Sequence, residues 1–361
     1  MDESARPPPR SAEAGALAWL RAHFFASPVS SLLTLLLATG CALLLPGLVR
    51  WALLDSVWTT PDPAACRAAA GACWAVVAEK YRVMLFGTYP YDQQWRGLAA
   101  MLLILGALLC CTIERLRSRT LLGGVVAAML LALALQFGGF LGLPHVPTTR
   151  WGGLPLTLFI FVGTVAGGLP LAVLLALGRQ SRLPVIRTLS IAFIEVIRGI
   201  PLVNLLFAAA LLFPLFMPEG VNFDKLLRAQ AGMILFFAAY TAETVRGGLQ
   251  AIPHGQIEAA ASLGLSYWQR TRKIVLPQAL RIVIPPIVND VIRAFKNTSV
   301  LVIIGLLDVL GGTMAALEDP RWSRFYVEAY LFIALLYFAF CFLMSRYSQH
   351  LERQLQAGRN F

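Results

Sequence analysis

Three oily stretches of this 361-residue chain each carry an acid followed three residues later by an arginine. They are Glu195 and Arg198 in "IEVIRGIPL", Glu243 and Arg246 in "AYTAETVRGG", and Asp290 and Arg293 in "NDVIRAFKNTS". On a helix this spacing sets both groups on one face, acid first, so that each pair partly neutralises itself. Charges at membrane depth are costly, and they commonly line the route of a polar solute or ion. The deeper polar groups, Glu195, Arg198, Asn289, Asp290, Arg293, Lys296, Thr298 and Ser299, are therefore candidates for such a route. The structural alternative is a set of self-satisfied pairs near the interface whose arginines snorkel to water, and Arg246, at the end of its stretch, suits it best. Neither use is catalysis, and no catalytic residue is assigned. No nucleophile stands beside a base, the four histidines are scattered, and no metal cluster is apparent. No G-x-x-x-x-G-K-[ST] phosphate loop occurs either, since none of Lys80, Lys225, Lys273 and Lys296 follows a glycine.

The elements that must hold these groups are membrane-spanning helices. The chain is 58% hydrophobic and 14% charged, with a mean hydropathy of +0.70, whereas soluble domains are about half apolar and about a quarter charged. Spans need about 20 apolar residues each. The qualifying stretches are Ser31–Val49, Gly97–Ile113, Leu121–Leu143, Leu154–Leu177, Leu189–Phe216, Ala229–Gly247, Ile282–Ile304 and Tyr326–Met344. The fifth is long enough to tilt or kink and contains Pro201. The predicted class is an all-α integral membrane protein of about eight transmembrane helices. The net charge of +11 then belongs to loops facing anionic headgroups, not to a nucleic-acid surface.

An even number of crossings puts both ends on one side. Placing them inside collects the basic short loops there: Arg115, Arg117 and Arg119 in "ERLRSRT"; Arg179, Arg182 and Arg187; Arg270, Arg272, Lys273 and Arg281. The ends add Arg6, Arg10, Arg21, Arg346, Arg353 and Arg359. Both termini are thus expected in the cytoplasm. Residues 1–29 form a cytoplasmic arm kept extended near Pro7, Pro8 and Pro9, without the continuous apolar core of a cleavable signal peptide. The largest outside loop, about 50–96, holds Cys66 and Cys73. On one continuous helix these would stand about 10 Å apart, too far to bridge, so a disulfide requires a turn at Gly71. Two free thiols are the alternative. Cys41, Cys110, Cys111 and Cys341 lie in oily segments as small hydrophobes. Gly163-x-x-x-Gly167 permits close approach of another helix, including one from another subunit.

One water-facing stretch stands between the oily runs: "EAAASLGLSYWQRTRKIVLP", Glu258 to Pro277. A helix is predicted after Pro253, ending at a left-handed Gly264. Ser266 and Gln269 form an S-x-x-Q capping box that opens a second short helix, and Pro277 marks the next helical start. Glu258 suits the dipole early in the first helix. Ala259, Ala260 and Ala261 keep one face shallow, Leu265, Trp268 and Ile274 supply an apolar edge, and Arg270, Arg272 and Lys273 hold the flanks in water or among headgroups. An amphipathic surface loop would show the amphipathicity without the spacing. That spacing is E-A-A-x-x-x-G, nine residues, then I-x-L-P. It resembles the signature loop of the integral membrane subunits of bacterial ABC importers.

The resemblance implies that Glu258, Ala259, Ala260, Gly264, Ile274, Leu276 and Pro277 dock in a groove of a separate ATPase. The flanks "AYTAETVRGGLQAIPHGQIEAAASLGLS" and "LPQALRIVIPPIVNDVIRAFKNTSV", with "IRGIPLV", resemble the polar amino acid branch of these permeases, which carries histidine, glutamine, arginine and related substrates. Lys296-Asn297-Thr298 departs from a K-D-T form and leaves no acid at 297. The likeness spans about 154–355 and implies a permease core of five spans at 151–347, a coupling loop at 250–281 and a cytoplasmic tail at 348–361. Residues 30–150, with three further spans, "GACWAVV" and "YPYDQQWRG", resemble the longer membrane subunit of broad-specificity L-amino acid importers. The implied role is half of an amino acid pathway in the bacterial inner membrane. The implied partners are a second permease, two ATPase subunits that bind ATP and Mg, and a periplasmic amino acid-binding protein. The chain itself would hold no cofactor. An ion-gradient-driven secondary transporter is the alternative that the buried acids Glu195 and Asp290 support, although no inverted repeat is evident.

Overall fold

The computed structural model describes residues 16–113, 119–221 and 223–357. Arg6, Arg10, Arg115, Arg117 and Arg359 of the charge argument lie outside the described residues. Apart from a two-residue strand at Leu307–Asp308, the regular structure of the described residues is helical. In a bilayer a helix satisfies every backbone group within its own segment. The chain divides into two compact units between Ala75 and Val76.

In the first unit, α1 (Ala16–Phe24) occupies part of the stretch expected to be an extended arm. Pro7, Pro8 and Pro9 lie outside the described residues, and Thr34 donates back to the Phe24 carbonyl at 2.8 Å. A Ser27–Ser30 capping box and Pro28 at the first position open α2 (Pro28–Val49). The helix continues through a π turn at Arg50–Leu54. None of the residues in α2 is buried, as expected of a helix whose Leu-rich surface meets lipid or another chain. After α3 (Pro63–Ala68) the chain turns at Gly71, and Cys66 and Cys73 are joined in a disulfide, their Cα atoms 5.4 Å apart. A Cβ at Gly71 would lie 2.1 Å from the Asp55 carbonyl oxygen, so this turn admits only glycine without movement. Trp74 Nε1 donates to the Ala52 carbonyl at 2.7 Å, fastening the same turn to the π segment.

The second unit begins with α4 (Ala75–Phe86), then the antiparallel pair α5 (Gln94–Thr112) and α6 (Arg119–Phe137). The third predicted span ends six residues early, because Gly138 is left-handed (φ +65°) and the chain coils through Gly139, Leu141 and Gly142, all at positive φ. Next come α7 (Gly153–Arg179), α8 (Pro184–Gly199) and α9 (Leu202–Phe207). The fifth predicted span is therefore two elements bent by 106°. Pro201 has no N–H to extend α8 and holds Ile200 in an extended conformation. The remaining helices are α10 (Lys225–Gln250), α11 (His254–Ser262), α12 (Tyr267–Arg270), α13 (Leu276–Asn297), α14 (Val309–Ala316) and α15 (Tyr326–Ala357). The last carries helix well into the stretch expected to be a tail. Among the described residues, five helices are long and apolar enough to cross a membrane, or six with the bent pair counted as one; Gly123–Phe137 is a shorter apolar helix.

The core is built around α7. Gly163, Gly167 and Gly168 lie against Gln230, Ile234 and Phe237 of α10; a Cβ at Gly168 would stand 2.6 Å from the Phe237 ring. The small-residue motif is thus filled by a helix of the same chain. Ala100 and Ile104 of α5 and Ala132 of α6 share one cluster with Leu158, Phe161 and Phe295. The pair α5–α6, assigned by sequence to an N-terminal extension, therefore packs in one unit with the permease-like segment.

Arg96 is fully buried in this unit. Its guanidinium donates to the carbonyls of Leu135 (2.7 Å), Pro144 (2.9 Å) and Gln136 (3.3 Å). Leu135 and Gln136 are in the last turn of α6, whose carbonyls have no intrahelical partner, so one side chain caps the end of the neighbouring helix.

Candidate functional site

The stretch 254–277 forms the elbow. At the end of α11 the Gly264 amide donates to Ala261 O at 2.9 Å and the Leu265 amide to Ala260 O at 3.3 Å. Gly264 has φ +73°. This is the paired hydrogen-bond pattern of a left-handed helix stop. The Ser266 amide donates to Gln269 Oε1 at 2.9 Å and the Gln269 amide to Ser266 Oγ at 3.4 Å, completing the capping box.

Two details differ from the sequence expectation. Glu258 is the fifth residue of a nine-residue helix, past the first turn. The second helix is also not short: α12 passes through a π turn at Thr271–Val275 directly into α13. Pro277 provides no amide, and the wider turn ahead of it absorbs that loss without a break. Pro277 thus sits inside a continuous helix.

Ala260 is buried, whereas Glu258, Ala259 and Gly264 are exposed. Gly255, Gln256, Ala259, Ala260, Leu263 and Ile274 line an open cleft of about 400 Å³. Leu276 packs, partly buried, against the cluster of Ala242, Val245 and Ala279. Gln278 Nε2 donates to Gln256 Oε1 at 3.0 Å and to the Ile274 carbonyl at 3.0 Å, tying α11 to the start of α13. The elbow is therefore linked mechanically to a helix that carries the deep polar groups.

Two of the three expected acid–arginine pairs form: Arg246–Glu243 at 2.9 Å and Arg293–Asp290 at 3.2 Å. Glu195 does not pair with Arg198. It binds Arg179 of α7 at 2.8 Å, Arg179 also reaches Glu243 at 3.0 Å, and Arg198 stands 3.9 Å from Glu243. Glu195 on α8 thus reaches across to α7 and not along its own helix. Three helices are thereby joined by one network centred on Glu243. Asp290 is 6% exposed and accepts from Thr244 Oγ1 at 2.8 Å.

Asn289, Arg293 and Lys296 are exposed on α13. Lys296 and Ser299 line a groove of about 480 Å³ with Tyr330 and Tyr337. Thr298 is instead fully buried and donates to the Phe295 carbonyl at 2.7 Å.

Tyr240 was not singled out by the sequence reading. The guanidinium carbons of Arg198 and Arg293 stand 5.5 and 5.8 Å from its ring centroid, within cation–π range. Its hydroxyl donates to the Arg198 carbonyl at 3.3 Å. The ring joins the two arginines of the predicted path. Its position three and four residues before Glu243 and Thr244, on the same helix face, is the signal that would have found it.

Asp308 was also missed, although it is an acid inside the apolar run "LVIIGLLDVL". It caps α14 by accepting from the Gly311 amide at 2.9 Å, and Tyr337 donates to it at 3.2 Å. Burial pushes its carboxyl up to about 6, above the usual carboxylate range, against the lowering effect of these hydrogen bonds. The folded chain then binds the proton more tightly than the unfolded chain. Stability is highest below about pH 4 and falls as pH rises to about 6, by about 3 kcal/mol in total for this group. Thermal midpoints measured across that window should show this slope in the wild type and lose it in Asp308→Asn.

Among the described residues, no cluster of His, Cys, Asp or Glu is placed to hold a metal. The arrangement sets several charged groups near one another across α7, α8, α10 and α13.

Residues 168–357 match the family of binding-protein-dependent transport system inner membrane components. The chain is 45% identical to the inner membrane amino-acid ABC transporter permease protein YhdY of Escherichia coli (strain K12), over 98% of this chain and 97% of that protein. It is 38% identical to the glutamate/glutamine/aspartate/asparagine transport system permease protein BztC of Rhodobacter capsulatus, over 97% and 96%. Its fold is similar to that in a crystal structure of an amino acid ABC transporter with histidines, with a TM-score of 0.51 and 29% identity, over 56% of this chain and 92% of that one.

Proposed function

The chain belongs to the binding-protein-dependent transport system inner membrane component family, and from that premise we propose that it forms one membrane half of an ATP-driven amino acid importer. The observation that carries the reading is the elbow at Gly264. An exposed, shallow Ala259 face stands on a rigid stop, beside an open cleft and at the head of the continuous helix 267–297. Such a projection suits insertion into a groove on a moving partner. Relatives named as amino-acid permeases align with nearly the whole chain and support the substrate class.

In this account both termini and the elbow face the cytoplasm, and residues 50–96 face the periplasm. Two ATPase subunits bind ATP and Mg, a second permease completes the pathway, and a periplasmic binding protein delivers the amino acid. ATPase closure pushes on α11. The Gln256–Gln278 bond and the unbroken helix through Pro277 carry that push into α13. Asp290 and Arg293 on α13 then shift relative to Arg198 on α8 and Tyr240 on α10. The zwitterionic substrate passes the exposed groups among these, Asn289, Arg293 and Lys296.

The secondary-transporter alternative needs a carboxyl that exchanges a proton or sodium ion. Asp290 is buried, but Arg293 and Thr244 already occupy it, which favours a fixed structural charge over an exchanging one.

A photo-crosslinking residue at position 259 provides the test in cells that express the whole transport operon. The expected product joins this chain to an ATPase subunit, and its yield changes when ATP hydrolysis is blocked with vanadate. A crosslink found only to lipid or to the second permease would count against the proposal.

A further inference from the structure

A second recess lies on the same end of the unit, apart from the cleft at Ala259. It is a groove of about 400 Å³ between the α7–α8 turn and α12, with Leu174, Leu177, Leu183, Ile186, Tyr267 and Trp268 forming its apolar walls. These walls are open to the surroundings: Leu174 is 64% exposed, Leu183 60% and Trp268 68%. Apolar surface of this extent in water would be costly. The polar lining consists of Ser181, Arg182 and Arg270, with no carboxylate. Two guanidinium charges thus border the groove with no carboxylate in its lining to neutralise them.

We infer that the groove seats an anionic inner-leaflet phospholipid, its phosphodiester between Arg182 and Arg270 and its first acyl segment along the Leu183–Trp268 wall. The three features match one ligand. A phosphate group accepts from the Arg182 and Arg270 guanidiniums that line the groove, since guanidinium groups bind phosphate through paired donors. An acyl chain covers Leu174 and Ile186. The Tyr267 and Trp268 rings, in edge contact with centroids 5.5 Å apart, take the interfacial position that such rings favour. A free phosphate would satisfy the arginines and leave the apolar walls bare.

Because α12 opens the helix that continues into α13, a lipid held there also braces the elbow. The inference rests on the proposed orientation, which puts this end at the cytoplasmic headgroups.

The full-length chain, purified and delipidated in detergent, is titrated with dioleoylphosphatidylglycerol, dioleoylphosphatidylcholine or inorganic phosphate and examined by native mass spectrometry. No ATP or amino acid is present, so the outcome is independent of the transport reading. Phosphatidylglycerol should be retained in preference to phosphatidylcholine and should resist displacement by phosphate. The R182Q/R270Q variant should retain it roughly thirtyfold more weakly, as expected for two headgroup-facing arginines. The R272Q/K273Q variant removes equal charge at exposed positions outside the groove and should bind as the wild type does.

As a second readout that leaves the arginines intact, phosphatidylglycerol with brominated acyl chains should quench tryptophan fluorescence in the wild type and lose most of that quenching in Trp268→Phe. Equal retention by wild type and R182Q/R270Q would overturn the inference. So would an equal loss in R272Q/K273Q, full displacement by phosphate, or quenching unchanged in Trp268→Phe.

Discussion

Replacing Gly264 with valine is expected to lower ATP-driven amino acid uptake by about tenfold, because a non-glycine residue in the left-handed region costs about 1–2 kcal/mol and a β-branched one more. Gly264 sits at φ +73°, and a Cβ there would meet no atom within 4 Å. The substitution therefore adds no clash. Its whole effect falls on the backbone of the elbow, which straightens or populates other conformations. The thermal midpoint should fall only slightly, since the disturbed stop ends the short, largely exposed α11 while the long helices stay packed. Gly264→Ala should show a smaller loss in the same direction. ATP hydrolysis by the assembled complex, measured in the same vesicles, should persist while uptake falls. If both substitutions left uptake intact, the shape of the elbow would not matter for coupling.

Replacing Arg96 with methionine is expected to destabilise the second unit by about 2–4 kcal/mol, the scale of leaving the buried carbonyls of Leu135 and Pro144 without this donor while Gln136 keeps the Tyr89 hydroxyl. The side chain caps Leu135 and Gln136 at the end of α6 and holds Pro144 beyond the turn. Methionine fills much of the volume and supplies no donor. Lysine supplies donors from a single point and reaches fewer of the carbonyls. The unfolding midpoint in detergent should therefore fall most for Arg96→Met and less for Arg96→Lys. An unchanged midpoint in Arg96→Met would mean that the α5–α6 end is held by apolar packing alone.

Gly264 and Arg96 also show what the sequence discloses. The elbow was legible because its determinants are local: a glycine stop and a capping box act within five residues of each other, and both formed as expected. The position of most spans was legible for a similar reason, since length and hydropathy are properties of a single segment. Arg96 was not. The carbonyls that it caps lie about forty residues away or more, and its place at the edge of an outside loop reads as one more surface charge.

The ion pairs divide in the same way. Arg246–Glu243 and Arg293–Asp290 lie within one helix and could be read from spacing. Glu195 takes its partner, Arg179, from the neighbouring α7, a contact set by the packing of α7 against α8 that spacing along one helix does not disclose. The π turn before Pro277 was likewise hidden. A proline two residues inside a helix looks like a start signal until the preceding turn is seen to run through it. Tyr240 needed both α8 and α13 in place before its role between two arginines became visible.

The central claim is that movement of a partner ATPase reaches the polar path through the elbow. Reconstitution of the complete transport complex in sealed vesicles tests it most directly, with radiolabelled amino acid uptake measured under two energy sources: ATP with no ion gradient, and a proton or sodium gradient with no ATP. The account predicts uptake with ATP alone, none with a gradient alone, and loss of the ATP-driven uptake in Gly264→Val. Uptake driven by a gradient without ATP, and indifferent to Gly264→Val, would contradict it.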